Sequence, residues 1–251
     1  MSTHLSKHDV RNPDIVTLEL KKGFQWTTSH AKLTAFVSIA FIAGGIGYSA
    51  FQYFSEQAEE KAQEAFYHVE DDYLKLQESE HPKTPAQQTK DKKAQTEKVE
   101  APVVANYQPV AQKFSDVMTQ FPNSRAALLA YLDYSEIKIK DQKFEDIVKS
   151  AEKLKVGSDL LSSLVLMQKG NAQANSKDCK QALTTWEQVL KNKAAQSLYP
   201  EVHLQEALCF ESLNDMTHAE ESYNKILAEA KDSSAAKSAE KYLRLLKTKV
   251  N

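Results

Sequence analysis

The first strong pattern in the chain is a long apolar stretch near its beginning. From Leu33 to Ser55 no residue is charged, and apolar side chains would occupy every face of a helix formed here. Such a helix would extend for roughly 35 Å, enough to cross the roughly 30 Å hydrocarbon core of a bilayer. Aromatic residues gather at both ends of the stretch, as they do at membrane interfaces. The pattern therefore predicts a transmembrane helix over residues 33–54.

The alternative is an export signal that is removed after Ala50. A signal peptide has a short basic leader and an apolar region of about 7–15 residues. Here residues 1–32 precede a longer apolar stretch, which favours a permanent anchor. Lysines at positions 21, 22 and 32 precede the span, whereas Lys61 follows it among several glutamates. The positive-inside rule then predicts that residues 1–32 form a cytoplasmic tail and that the rest lies beyond the membrane.

The pattern after the span is helical apart from one interruption. Apolar residues recur at intervals of three and four over residues 55–78, which predicts a membrane-proximal helix. Residues 79–106 lack aromatic side chains and mix proline, lysine, acid and glutamine, which predicts a flexible insert. Residues 107–251 contain few glycines or prolines and no alternating run of useful length. The sequence therefore predicts an all-α protein whose last domain consists of short, paired helices.

The last domain contains a degenerate internal repeat. A small residue is followed twelve positions later by a second small residue and sixteen positions later by an aromatic one. The two matching sets are Gly170, Ala182, Trp186 and Ala207, Ala219, Tyr223. Small residues let two helices approach closely, and the aromatic is expected to fill the gap to the next pair. The spacing resembles the tetratricopeptide repeat, whose period is about 34 residues. It predicts a helical-hairpin solenoid over residues 107–251, closed by a C-terminal capping helix.

The first helices of these pairs would line a groove. Asn171 matches a residue with which some repeats of this type clamp a peptide carboxylate, but the lysines of that clamp are missing. The groove is predicted to be apolar and edged with acid, which suits an apolar segment of a protein partner. The alternative is that these side chains are buried against neighbouring helices. The candidate positions are Leu132, Glu136, Leu164, Met167, Asn171, Leu204, Leu208 and Glu211.

Composition and motifs narrow the class of function. The net charge of −2 over 251 residues, without a basic stripe, argues against nucleic acid as a partner. The sequence has no glycine-rich phosphate loop, nucleophile elbow or HExxH motif, so we expect no enzyme, cofactor or metal site. His203 and His218 lack a neighbouring nucleophile pattern and are interpreted as surface residues. Stacked pairs would bring Cys179 and Cys209 together, so they form either a disulfide or two separate core cysteines.

With this arrangement the chain resembles the YfgM-like ancillary subunits of the bacterial Sec translocon. The resemblance lies in DIVTLELKKGFQW before the span and in residues 114–154, and the insert departs from it. It implies a single-pass inner-membrane protein with a periplasmic repeat domain. It also implies association with the Sec translocon, a membrane-anchored periplasmic prolyl isomerase and exported clients. An adaptor for cell-wall or outer-membrane assembly is the alternative. Small-residue pairs such as Ala40 and Gly44 permit close packing of spans, so a homo-oligomer is compatible with the sequence.

Overall fold

The structure is a computed structural model that describes residues 15–80 and 105–250. Within these two ranges every regular element is a helix and no strand occurs, which confirms the all-α prediction. The chain divides into two compact units, Met1–Gln57 and Ala58–Asn251.

The first unit contains α1 (Ile15–Ser29) and the beginning of α2 (Ala31–Glu80). Among the described residues, α2 is the one helix long and apolar enough to cross a membrane. Large apolar side chains on its early turns are exposed, including Phe36, Phe41 and Ile42. An uninterrupted apolar surface of this kind is unfavourable in water, so it is consistent with a single-pass anchor.

The second unit continues with eight helices, which are α3 (Gln108–Gln120), α4 (Arg125–Lys140), α5 (Phe144–Ala151), α6 (Leu160–Asn175), α7 (Cys179–Leu190), α8 (Tyr199–Ser212), α9 (Met216–Glu229) and α10 (Ser234–Val250). A side-chain hydrogen bond caps the N-terminus of α4, α6, α7 and α9. The hydroxyl of Ser124 and the carboxylates of Asp159, Asp178 and Asp215 each accept a hydrogen bond from the amide three residues later. These N-caps satisfy amides that have no partner within the helix. A short 3-10 helix, Lys193–Leu198, leads into α8.

Three turns in the second unit share one backbone geometry. Gln142, Lys177 and Asn214 have φ values of 57°, 66° and 59°, in the left-handed region. In each turn the following amide donates to the carbonyl five residues before it, at 2.8–2.9 Å. This is the hydrogen bond of a Schellman helix end. The three residues lie 35 and 37 positions apart, from 142 to 177 to 214, and the second step equals the 37 positions between Gly170 and Ala207 in the sequence repeat.

The end of α2 supplies a helix to the first core of the second unit. Phe66 and Tyr73 of α2 are buried, and their rings lie 6.1 and 5.8 Å from the ring of Phe114 on α3. Glu80 then accepts hydrogen bonds from the amide of Ala105, at 3.1 Å, and the hydroxyl of Tyr107, at 2.6 Å. The described ends of the predicted insert are therefore held together, while residues 81–104 lie outside the described residues.

The helices of the second unit pack in chain order from α3 to α10. In addition, α4 contacts α6, α6 contacts α8, and α8 contacts α10. These four helices form a continuous row, which we call the first-helix row. Three buried apolar clusters follow one another along the unit, so the core is distributed rather than centred.

Candidate protein-binding face

The predicted groove positions lie on α4, α6 and α8 of the first-helix row, but they differ in exposure. Glu136 is exposed, whereas Leu204 is only 8% exposed and belongs to a core cluster with Tyr223 and Ile226. Leu204 therefore offers little surface to a ligand. The remaining positions are half-buried: Leu132, Leu164, Met167, Asn171, Leu208 and Glu211. Leu204 is therefore packed against neighbouring helices, whereas the other positions keep part of their side chains accessible.

The small and aromatic positions of the repeat pack inside the helix pairs that carry this face. Trp186 is fully buried, and its ring lies directly on Gly170 of the same helix pair. Its Nε1–H donates to the main-chain carbonyl of Met167 at 3.3 Å. Trp186 also belongs to a buried cluster with Val202 and Cys209 of α8, so it packs toward the next helix pair as well as on Gly170 of its own pair. In the next pair the hydroxyl of Tyr223 donates to the carboxylate of Glu211 at 2.7 Å.

The two cysteines lie together in the structure. Cys179, the first residue of α7, is joined to Cys209 of α8 by a disulfide, with 5.3 Å between their Cα atoms. Both residues are buried, and the Sγ atom of Cys179 lies 3.2 Å from the hydroxyl of Ser212. The bond connects two consecutive helix pairs near the last turn of α8.

A group of acids, of which the sequence pattern indicated only Glu136, lies where α2 meets α4. We call Glu70, Asp133 and Glu136 the acidic cluster. Burial, followed by the charges of Glu70 and Glu136, raises the pKa of Asp133 to about 6. Glu136 pairs with Lys140 at 3.7 Å, but within the described part of the chain no ion pair reaches Glu70 or Asp133.

A buried hydroxyl lies beside the acidic cluster. Tyr73 of α2 is only 3% exposed, and its buried hydroxyl lies close to the side chains of Gln77 and Glu136. Burial, followed by the charge of Glu136, raises the pKa of this hydroxyl well above its usual range. Sequence periodicity could identify Tyr73 as a buried position, but it could not show which helix that position would face.

His203 and His218 differ in their exposure to solvent. His203 is 6% exposed, and its Nδ1 lies 2.8 Å from the carboxylate of Glu206, which is also buried. The interpretation of His203 as a surface residue is therefore wrong, whereas His218 is exposed. Among the described residues no group of three or more His, Cys, Asp or Glu side chains could hold a metal ion.

No family model matches the chain, and no curated protein or solved structure matches it. The candidate face and the acidic cluster are therefore assigned from the residues and contacts of this chain.

Proposed function

We propose that the chain is a non-catalytic, membrane-anchored protein-interaction subunit. The observation that carries this proposal is the first-helix row, which presents one continuous, partly apolar face built from several helices. Extended faces of this kind are typical of proteins that bind segments of other proteins. The exposed apolar part of α2 provides the anchor.

The second unit is, in this proposal, a tetratricopeptide-like solenoid capped by α10. Support comes from the shared turn geometry at Gln142, Lys177 and Asn214, and from the consecutive contacts of α4, α6, α8 and α10. The small residue at Gly170 and the aromatic at Trp186 add a packing contact of the expected kind. The end of α2 then supplies the first helix of the first pair, paired with α3.

The proposed location is the bacterial inner membrane, with the N-terminus in the cytoplasm and the second unit in the periplasm. The lysines before the span favour this orientation. The disulfide between Cys179 and Cys209 supports it independently, because such bonds persist in the oxidising periplasm and are rare in the bacterial cytosol.

The proposed partners are the Sec translocon, a membrane-anchored periplasmic prolyl isomerase and exported clients. The support for these partners is the resemblance of the lead-in and of residues 114–154 to YfgM-like subunits. The half-buried leucines and Met167 on the face suit apolar segments that are exposed before folding.

Site-specific photo-crosslinking in living bacteria tests the proposal. A photoreactive amino acid at Glu136, Leu164 or Leu208 is expected to crosslink to Sec subunits or to exported chains. The same group at exposed Glu187 of α7 or Glu221 of α9, away from the row, is the matched control. Equal crosslinking from row and control positions would contradict the binding face.

Two further measurements separate the alternatives. Affinity purification in mild detergent is expected to recover Sec subunits, and recovery of cell-wall synthases without them would favour the envelope-assembly adaptor. An alkaline phosphatase fused to the C-terminus is expected to be active, since this enzyme matures only outside the cytosol. An inactive but stable fusion would overturn the proposed orientation.

A further inference from the structure

The helix α1 ends next to the proposed membrane span. Its last residue is Ser29 and α2 begins at Ala31, so a single residue, His30, separates the two helices. The charge-free stretch starts at Leu33, which places the edge of the hydrocarbon core near that residue. Four residues of helix rise about 6 Å, and the headgroup region beyond the core is about 5–7 Å thick. The end of α1 therefore lies among lipid headgroups whichever way the helix points.

Two large apolar side chains of α1 are exposed on one side of the helix. Leu20 and Phe24 are 67% and 71% exposed. Residues four apart lie on the same helix face, so the two side chains form a common apolar surface. Trp26 is exposed on the other side but lies close to the end of α1, where headgroups surround the whole helix. Leu20 and Phe24 suit the boundary between headgroups and acyl chains better than they suit water.

The charges of α1 and of the residues that follow it complement an anionic surface. Residues 15–32 contain three lysines and one acid, which gives a net charge of +2 with histidine neutral. A lysine near a membrane rich in anionic lipid strengthens binding about fivefold. The lysines are Lys21, Lys22 and Lys32, and the acid is Glu19.

The junction between the two helices satisfies its own main-chain carbonyls. The hydroxyl of Thr28 donates to the carbonyl of Gln25 at 3.0 Å. The hydroxyl of Ser29 donates to the carbonyl of Trp26 at 2.9 Å, and the amide of His30 donates to the same carbonyl at 3.0 Å. Carbonyls at a helix end otherwise require water, which becomes scarce toward the hydrocarbon core. These hydrogen bonds therefore suit a helix end at the membrane interface.

We propose that α1 lies along the membrane surface and binds anionic phospholipid. Leu20 and Phe24 enter the boundary between headgroups and acyl chains, and the three lysines contact lipid phosphates. The proposal commits to lipid because α1 is continuous with the span and carries a net positive charge. It adds a second membrane contact to the span and is independent of the first-helix row.

Two positions distinguish a surface helix from a helix that projects away from the membrane. Leu20 precedes Leu33 by thirteen residues, so a projecting helix would place it roughly 20 Å from the hydrocarbon core. Gln25 is nearer to the span in sequence, but it lies about 140° around the helix from Leu20. A surface helix therefore brings Leu20 closer to the acyl chains than Gln25, whereas a projecting helix gives the opposite order.

The test is the quenching of tryptophan fluorescence in nanodiscs of phosphatidylcholine that carries bromine on its acyl chains. The parent is the full chain with Trp26→Phe, in which the buried Trp186 of the second unit gives a constant background. Leu20→Trp and Gln25→Trp are introduced separately into this parent, at two exposed positions. Leu20→Trp is expected to be quenched more strongly than Gln25→Trp. Circular dichroism checks that the helices remain.

A second comparison tests the class of lipid. Adding phosphatidylglycerol at a constant fraction of brominated lipid is expected to increase the quenching of Leu20→Trp. With Lys21→Gln/Lys22→Gln, the ratio of surface-bound to detached α1 should fall about fivefold for each lysine removed. The matched control is Lys61→Gln, an exposed lysine of α2 on the other side of the charge-free stretch, which should leave the quenching unchanged.

Stronger quenching of Gln25→Trp than of Leu20→Trp would overturn the proposal, because it is the order of a projecting helix. Absence of quenching at both positions would overturn it as well. If neither phosphatidylglycerol nor the double lysine variant changes the quenching of Leu20→Trp, recognition of anionic lipid is refuted. None of these outcomes bears on the binding face of the second unit, which the crosslinking experiment tests separately.

Discussion

The contact between Gly170 and Trp186 allows one packing prediction to be worked out in detail. A Cβ added at Gly170 would lie 2.3, 2.6 and 2.8 Å from three atoms of the Trp186 ring. Real Cβ contacts essentially never come below 3.0 Å. The ring has little freedom to retreat, because it is fully buried and donates to the carbonyl of Met167. The substitution Gly170→Ala must therefore displace the ring or separate α6 from α7.

The expected magnitude follows from two opposing effects. Overpacking of a well-filled core costs about 1–3 kcal/mol, and three contacts below 3.0 Å place this case at the upper end. Replacing glycine by alanine inside a helix recovers up to about 1 kcal/mol of helix propensity. We therefore expect Gly170→Ala to lower the free energy of unfolding by about 2 kcal/mol.

The assay is urea unfolding of the full chain in a nonionic detergent, followed by far-ultraviolet circular dichroism. The matched control is Gly157→Ala, where the nearest atom to the new Cβ is the Ser162 hydroxyl oxygen at 3.5 Å, an ordinary contact. Its free energy of unfolding should stay within about 0.5 kcal/mol of the unmodified protein.

A double-mutant cycle identifies the cause. In a Trp186→Leu background the ring is absent, so Gly170→Ala should be neutral or stabilising. If Gly170→Ala costs the same with and without the ring, or is as stable as Gly157→Ala, the packing of Trp186 on Gly170 is not as described.

Three further predictions concern other parts of the second unit. Replacing Cys179 and Cys209 by serine should lower the free energy of unfolding by about 3–4 kcal/mol, since the bond closes a loop with a sequence separation of 30. Thiol counting under non-reducing denaturation should find no free thiol, and two free thiols would refute the disulfide. Lys177→Gly should raise the free energy of unfolding by about 1 kcal/mol in urea titrations, because glycine adopts the positive φ of this position without strain. Asn214→Gly should raise it by less, and equal increases for the two variants would refute the strain at Lys177. Burial and neighbouring acids raise the pKa of Asp133 to about 6, so its ionisation destabilises the fold as pH rises from about 4 to 6. Asp133→Asn should therefore have a free energy of unfolding about 1 kcal/mol higher than the unmodified protein at pH 7.5, after allowance for solvent screening. This difference should disappear below about pH 4.

Several features were accessible from the sequence because they depend on local patterns. The all-α class follows from helical periodicity and from the scarcity of glycine and proline, and the structure confirms it for the described residues. The charge-free stretch corresponds to a helix of sufficient length because hydrophobicity and length are properties of the segment alone. The repeat spacing recurs in the turns at Gln142, Lys177 and Asn214, although no glycine marks them.

Other features were decided by tertiary structure because they join segments that are distant in sequence. The end of α2 packs on α3 across residues 81–104, so periodicity could predict the helix over residues 55–78 but not its pairing with α3. Leu204 is buried by α9 and α10, which no pattern on α8 reveals. The acidic cluster of Glu70, Asp133 and Glu136 forms only when α2 and α4 lie side by side. Burial and electrostatic coupling depend on these packed neighbours, and therefore only the folded chain defines them.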